Sequence, residues 1–536
     1  MLQNVTNILQ RTIIRSYGAT VAAKREHRRR SSKRKPQKES KGGTLINCKR
    51  SEFNLSAPEK TGSKFGTIPL ASKGWLHYKS NKDYFTINAT TSDNDQQTHR
   101  MDLTEFLKNN QIKLQSELLD NLKNEFKITA FTQIQAEGFP KIYQSHHTLI
   151  AAETGCGKTL TYLLPIVQQI LERRQRSREE TRKFNSPLAL IITPGRELAT
   201  QIGNVAERLC INTGLKVTTI LGGNTKQLIV NPEFIDVDIL VVTMGAISKL
   251  INTGIYRVGH VRHLVLDEAD TLLDDGFTYL LVRLLEKFPF HRNQMQDEHN
   301  FGTQFVLASA TMPTNIEEQL QRVIDVKTIQ EVVSPNLHKL MPHVEQKFIR
   351  MAKASRPENM LCLAQAEIKQ NRPIIIFSNK SATSDYVSIF LNQAGINCVN
   401  LNGDMLMKIR LGRFEKFQSG EFDVLSTTDV GSRGLDTTRA RHVVNFDFPL
   451  HVSDYIHRCG RIGRVGHTAK CFVTNFISSR REVSVVQSIE HAARTGGLLP
   501  NVNANIKGLI NRNILKEMKA AGIQLPPAEP QEEESF

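Results

Sequence analysis

Short apolar runs alternate with amphipathic stretches through most of this chain. Leu188 to Thr193, Val217 to Leu221, Ile239 to Thr243, Leu264 to Leu266 and Phe305 to Ala308 form one series. Each is too short for a buried helix and too continuous for a half-exposed strand, so each reads as a strand covered on both faces. A second series follows Ser334-Pro335 and a polar stretch to His343: Ile374 to Phe377, Cys398 to Leu401, Val424 to Thr427, Val443 to Phe446 and Cys471 to Thr474. The pattern predicts an α/β protein with two tandem domains, each a parallel sheet with helices on both faces. A length of 536 residues agrees, being too great for one core.

Helical spacing begins at Leu103 and runs through Phe106, Leu107, Leu114, Leu118, Leu119 and Leu122. Upstream, Lys24 to Arg100 is rich in Lys, Ser, Thr and Asn and poor in periodic apolar residues, a composition that does not order itself. The expected organisation is therefore a leader and basic run at 1–40, a polar extension of low order at 41–100, a first domain at 101–334, a linker at 335–345, a second domain at 346–500 and a tail at 501–536. Glu172 to Asn185 and His291 to Gly302 are strongly polar and read as loops leaving the first domain.

Charge adds detail at one end. The net charge is +17, yet residues 1–35 alone hold ten Lys/Arg against one acid, Glu26, so more than half the excess sits there. Leu2, Val5, Leu9 and Ile13 recur at helical spacing with Arg11 and Arg15 opposite them, the pattern of a mitochondrial presequence, with a nuclear-type basic signal as the alternative. No apolar run approaches the ~18 residues needed to span a bilayer, so membrane insertion is not expected. Seven scattered cysteines without a C-x-x-C pair disfavour a disulfide framework or a zinc site.

Two stretches carry chemistry. In Ala151, Ala152, Glu153, Thr154, Gly155, Cys156, Gly157, Lys158 and Thr159, an apolar strand runs into a glycine-bearing turn and then a helix. Backbone N–H groups at such a helix N-terminus cradle phosphate, Lys158 reaches the β/γ-phosphates, and Thr159 ligands Mg²⁺. Val265 to Asp270, VLDEAD, is a buried strand ending in carboxylates that can hold the metal and aim a water. Together they predict nucleoside triphosphate hydrolysis.

Further on stand Ser309-Ala310-Thr311 and the segment His457 to Arg464, HRCGRIGR. With the P-loop and DEAD in this order, the chain resembles the DEAD-box RNA helicases from about Leu103 to Gly496. The resemblance implies two RecA-like domains, ATP and Mg²⁺ as cofactors, and RNA as partner. It implies that Lys158, Asp267, Glu268, Arg461 and Arg464 are catalytic, with Asp267 and Thr159 on the metal. Thr132 and Gln135, in a glutamine motif, are implied beside ATP, with Gly434 and Asp436 near the ribose and Phe106 as the stacking aromatic. RNA contacts are implied for Arg196, Gly222, Gly223, Thr243, Gly245, Arg410, Thr428, Asp429 and Arg433. Ser309, Thr311 and His457 are implied to couple hydrolysis to the RNA-bound state.

Departures fall on the RNA side: Gly195, Ala246 and Met407 stand where the family has threonine, arginine and glutamine, which predicts a weaker grip on phosphate. VLDEADTLLD, the segment from Met341 to Gln346 and the leader resemble a mitochondrial member of the family associated with assembly of the large mitoribosomal subunit. That implies mitochondrial ribosomal RNA as substrate and ribosome assembly factors as partners. A non-enzymatic RNA clamp and a nucleolar rRNA-processing helicase stay open as alternatives.

Overall fold

The structure, a computed structural model, describes residues 45–58, 68–89, 101–176, 183–223, 225–273, 278–290, 302–312, 320–429, 437, 439–463, 469–500 and 502. The leader, the tail beyond 502, Arg433, Gly434, Asp436 and Arg464 lie outside them. In chain order the strands are β1 (Ile46–Cys48), β2 (Tyr84–Ile87), β3 (Met101–Asp102), β4 (Ala130–Phe131), β5 (Thr148–Ala151), β6 (Ala189–Thr193), β7 (Val217–Ile220), β8 (Ile239–Thr243), β9 (His263–Asp267), β10 (Gln304–Ser309), β11 (Gln330–Val333), β12 (Glu345–Arg350), β13 (Ile374–Ser378), β14 (Cys398–Leu401), β15 (Val424–Thr428), β16 (His442–Asn445) and β17 (Phe472–Ile477). β3 and β4 form a small antiparallel ladder of their own.

The first domain is a seven-stranded parallel sheet in the order β11-β5-β10-β9-β6-β8-β7. β5, β6, β8, β9 and β10 are buried along their whole length, which is why they read as continuous apolar runs. Register decides what meets at their ends: Ser309 pairs with Ala151, and Ala308 with Asp267. The phosphate loop, the DEAD acids and the Ser309-Ala310-Thr311 turn therefore leave the sheet side by side at its carboxyl edge, where open α/β sheets bind ligands.

The second domain is an eight-stranded sheet, β1-β2-β12-β17-β16-β13-β15-β14, parallel except at β1 and β2. This corrects the expectation of a low-order extension over 41–100. Residues 45–58 and 68–89 are built into the second domain, not set ahead of the first. β2 pairs antiparallel with β12, so that Phe85 faces Phe348 at a stacked 4.7 Å, and Trp75, only 1% exposed, lies 5.5 Å from Phe85. The turn at Ala71 and Ser72 is held by Glu490, whose fully buried carboxylate accepts from the Ala71 N–H at 2.7 Å, the Ser72 N–H at 2.9 Å and the Ser72 hydroxyl at 2.6 Å. Arg494 closes the same cluster with Nε on Glu490 at 2.8 Å and Nη2 on the Phe53 carbonyl. Composition concealed this because the segment's apolar residues are few and their partners lie more than 250 positions downstream.

Candidate active site

The phosphate loop takes its shape from two glycines in the left-handed region, Gly155 at φ 84° and Gly157 at φ 95°. A Cβ at Gly157 would lie 2.6 Å from Gln135 Nε2, so only glycine lets the backbone close in. Lys158, the first residue of the helix Lys158–Arg176, turns its ammonium back into the loop, 2.6 Å from the Ala152 carbonyl and 2.9 Å from that of Glu153. The turn has the concave backbone and the cation that a polyphosphate requires. Cys156 is buried inside it, and burial pushes its thiol up to about 11, so it fills space as a neutral group.

Thr132 and Gln135 cap the helix Gln133–Tyr143 reciprocally: Thr132 N–H donates to Gln135 Oε1 at 3.0 Å and Gln135 N–H to the Thr132 hydroxyl. Both then reach the phosphate loop, the Thr132 hydroxyl donating to the Cys156 carbonyl at 2.9 Å and Gln135 Nε2 to that of Gly157 at 3.4 Å. The motif thus braces the loop directly. Phe106 does not fit the expected stacking role. It is 1% exposed and packs edge-on against Phe131 and Phe139, because an aromatic on the apolar face of an amphipathic helix is drawn into the core.

At the end of β9, Asp267 is fixed from both sides: Tyr162 donates its hydroxyl to Oδ2 at 2.8 Å and the Glu268 N–H donates to Oδ1 at 2.8 Å. Burial raises the pKa of Asp267, while the Tyr162 hydroxyl and the Lys158 charge oppose the rise. Glu268 adopts φ 52°, ψ 50°, a strained left-handed conformation for a residue with a side chain, at the N-cap of the helix Ala269–Leu272. Its backbone turns the chain sharply where the acids leave the sheet. Sequence reasoning missed Tyr162, although its place one helical turn beyond Thr159 was a usable signal.

Asp270 joins the domains. It accepts from the Thr311 hydroxyl at 2.8 Å and the Thr311 N–H at 3.1 Å, and His457 Nε2 of the second domain lies 3.7 Å away. Burial works against its charge, yet His457 and the hydroxyls of Thr311 and Ser309 outweigh it and hold the pKa below the usual value. Ser309 donates to the Thr311 carbonyl at 2.5 Å and fixes the turn. The coupling residues expected from the sequence are thus in one network.

Opposite the phosphate loop stands the helix Val452–Cys459. Arg461 is buried, with Nε on the His457 carbonyl at 3.0 Å. Gly460 makes the fit possible: a Cβ there would fall 1.5 Å from the Thr154 hydroxyl, so this glycine lets the second domain seat on the loop.

The RNA residues divide. Arg196, Gly222, Gly223 and Thr243 gather at the carboxyl ends of β6, β7 and β8: Gly222 N–H donates to the Thr243 hydroxyl at 3.1 Å, and a Cβ on Gly223, at φ 104°, would meet the Arg196 guanidinium at 3.3 Å. Gly245 is exposed beside them, while Ala246 is buried and offers no phosphate contact. Two expected RNA contacts are engaged inside the protein instead. Arg410 Nη1 pairs with Glu197 at 3.0 Å across the domains, both side chains buried, because a charge enclosed there needs a partner. Asp429, next to Thr428 at the end of β15, accepts two bonds from Arg458, 2.6 Å from Nε and 2.7 Å from Nη2. Fully buried Arg458 also bonds Asn445, Asn379 and the Asp447 carbonyl, a central role that its place inside HRCGRIGR did not reveal.

Residues 132–319 match the DEAD/DEAH box helicase family and residues 355–466 the helicase conserved C-terminal domain. A Mus musculus protein described as probable ATP-dependent RNA helicase DDX28 is 34% identical over 490 residues, covering 89% of this chain and 89% of its own. The Homo sapiens protein of the same description is 33% identical over 504 residues, covering 91% and 92%. Two solved structures share the fold: S. cerevisiae Dbp5 bound to RNA and ADP BeF3, at TM-score 0.60 and 22% identity over 76% of this chain and 98% of that one, and the DEAD-box helicase Mss116 bound to ssRNA and UDP-BeF, at TM-score 0.62 and 23% identity over 74% and 78%. The order of the motifs, their meeting at one cleft and relatives that span nearly the whole chain agree: the chain belongs to the DEAD-box ATP-dependent RNA helicases, which bind ATP with Mg²⁺ and hydrolyse it to act on RNA.

Proposed function

We propose that this helicase works in mitochondria on ribosomal RNA, separating short duplexes or RNA–protein contacts during assembly of the large ribosomal subunit. The observation that carries the mechanism is the set of contacts across the cleft: Thr154 against Gly460, Asp270 beside His457, and Glu197 with Arg410. Each pairs a nucleotide-side or RNA-side motif of the first domain with a partner in the second. Closure, ATP binding and RNA binding are then one equilibrium. The acid-poor amphipathic leader and the likeness of VLDEADTLLD support the mitochondrial setting.

Bound ATP with Mg²⁺ supplies the phosphoanhydride to be cleaved and part of the charge that screens it. Within the protein, Lys158 and the loop N–H groups would position the phosphates, and Thr159 and Asp267 would hold the Mg²⁺ that offsets their charge. Glu268 orients the attacking water and takes its proton, and Arg461 with Arg464 neutralises the transferring group once the domains meet. The family resemblance assigns Gly434 and Asp436 to the ribose and Arg433 to the RNA, roles carried by sequence alone because these positions lie outside the described residues. Backbone N–H groups at Gly223 and Gly245 would hold RNA phosphate with Arg196 and the Thr243 hydroxyl, which the Gly222 N–H orients.

Steady-state ATPase with and without RNA tests the chemistry. RNA should stimulate turnover, and Lys158→Ala or Glu268→Gln should lower it by about 10²–10⁴-fold; wild-type rates in either variant refute the assignment. ATP-dependent RNA retention with negligible turnover would favour a clamp. A reporter fused to residues 1–40 should enter mitochondria, and a purely nuclear or nucleolar signal overturns the setting.

A further inference from the structure

The linker expected over 335–345, together with Ser334 directly before it, is fastened to both halves of the site. Ser334 N–H donates to the Ala151 carbonyl at 2.9 Å, directly before the phosphate loop. His338 Nε2 accepts the Met312 N–H at 3.0 Å, one residue past Thr311. The His338 carbonyl accepts the N–H of Leu499, a core residue of the second domain, at 2.9 Å. His343 Nε2 lies 2.7 Å from the Gly463 carbonyl, between Arg461 and Arg464.

We propose that His338 and His343 are positioning residues that couple domain closure to the two halves of the ATP site, His338 by locking the Ser309-Thr311 turn and His343 by locking the arginine loop. The proposal rests on the ATPase reading above.

Three features support it. His338 holds φ 60°, a conformation costly for a side-chain-bearing residue, and its side chain and carbonyl bond opposite domains. Burial lowers its pKa, which keeps Nε2 available as an acceptor. Gly463 is at φ 65°, and a Cβ on it would sit 2.7 Å from His343 Nε2, so the loop is shaped to bring its carbonyl onto this ring. The backbone partners set opposite tautomers: Nε2 of His338 carries no proton and accepts a hydrogen bond from the Met312 N–H, whereas Nε2 of His343 carries the proton and donates to the Gly463 carbonyl. Neither ring can therefore be exchanged for an apolar residue without orphaning a backbone group at the cleft.

The test uses the full chain with His338→Ala, His343→Ala, the double variant, and the glutamine variants, which keep an acceptor at 338 and a donor at 343. Closure is followed by energy transfer between dyes on exposed Cys362 and an introduced Lys249→Cys, alongside RNA-stimulated ATPase. Losing one neutral hydrogen bond from the closed state should raise the half-saturating RNA concentration about five-fold, and losing both roughly 25-fold. The turnover rate at saturating RNA should fall in the two variants that carry His343→Ala and not in His338→Ala, and glutamine should restore much of each loss. Unchanged RNA dependence and closure in the double variant, with wild-type RNA stimulation intact, overturns the proposal. So does an equal loss in alanine and glutamine variants together with a lowered Tm, which would mark a purely structural role. Absence of RNA stimulation in the wild type would instead refute the function proposed above.

Discussion

Glu490→Ala is the sharpest test of the N-terminal segment's place in the second domain. Glu490 is fully buried and accepts from the Ala71 N–H, the Ser72 N–H, the Ser72 hydroxyl and Arg494 Nε. The substitution strands two buried backbone donors and leaves the Arg494 guanidinium, itself 1% exposed, without its carboxylate. Removing one member of a buried ion pair costs roughly 3–5 kcal/mol, and because the orphaned donors share that penalty the total should be about 4 kcal/mol. For a unit of about 200 residues, each kcal/mol moves Tm by roughly 2–4 °C, so Tm should drop by roughly 8–16 °C. Trp75 is the chain's single tryptophan and is packed under this turn, so its fluorescence reports the segment. Urea titration should show red-shifted Trp75 emission at a lower midpoint in the variant. A change under about 1 kcal/mol, with Trp75 emission unaltered, would mean that the segment does not depend on Glu490 and that its docking was misread.

Gly460→Ala should block closure through the clash with Thr154 while leaving domain stability nearly unchanged; RNA-stimulated ATPase should fall at least ten-fold, and Thr154→Ser in the same chain should not rescue it because the hydroxyl remains. Stability of the first domain should fall on acidification, because burial lowers the pKa values of His147 and His263 to about 4. Above pH 6.5 both are neutral whether folded or unfolded and the stability is complete. Between pH 6.5 and about 4 only the unfolded chain takes up the protons, so each histidine removes up to roughly 3 kcal/mol across that window. Urea midpoints at pH 7.5, 6 and 5 check this, and a His263→Asn variant with an unchanged pH slope would refute the assignment for that residue.

Within the first domain the sequence was readable because β6, β8, β9 and β10 are buried throughout, carry continuous apolar centres and each end in a motif. A strand buried on both faces announces itself without knowledge of its neighbours. β12, with Glu345 and Lys347 alternating with Gln346 and Phe348, lacks that signature, and β1 and β2 are shorter still. Their stability comes from Trp75, Phe85 and Phe348 meeting in space. The same contrast holds in the site. Lys158, Asp267 and Glu268 carry chemistry in their residue types and spacing, so their partnership could be inferred. Arg410 and Asp429 could not be placed that way, since an arginine that grips phosphate and one that pairs with Glu197 are the same residue in a string of letters.

The sequence by itself determined two α/β domains, one phosphate loop and the set of groups able to hydrolyse ATP, because these depend on short-range periodicity and on residues clustered in local motifs. Only the tertiary structure decided that the segment around Trp75 belongs to the second domain, that Arg410 and Asp429 are engaged inside the protein, and that the linker histidines touch both halves of the site. Those outcomes depend on which buried charge finds a partner and which backbone group finds an acceptor across hundreds of residues, and nothing in local pattern encodes that pairing.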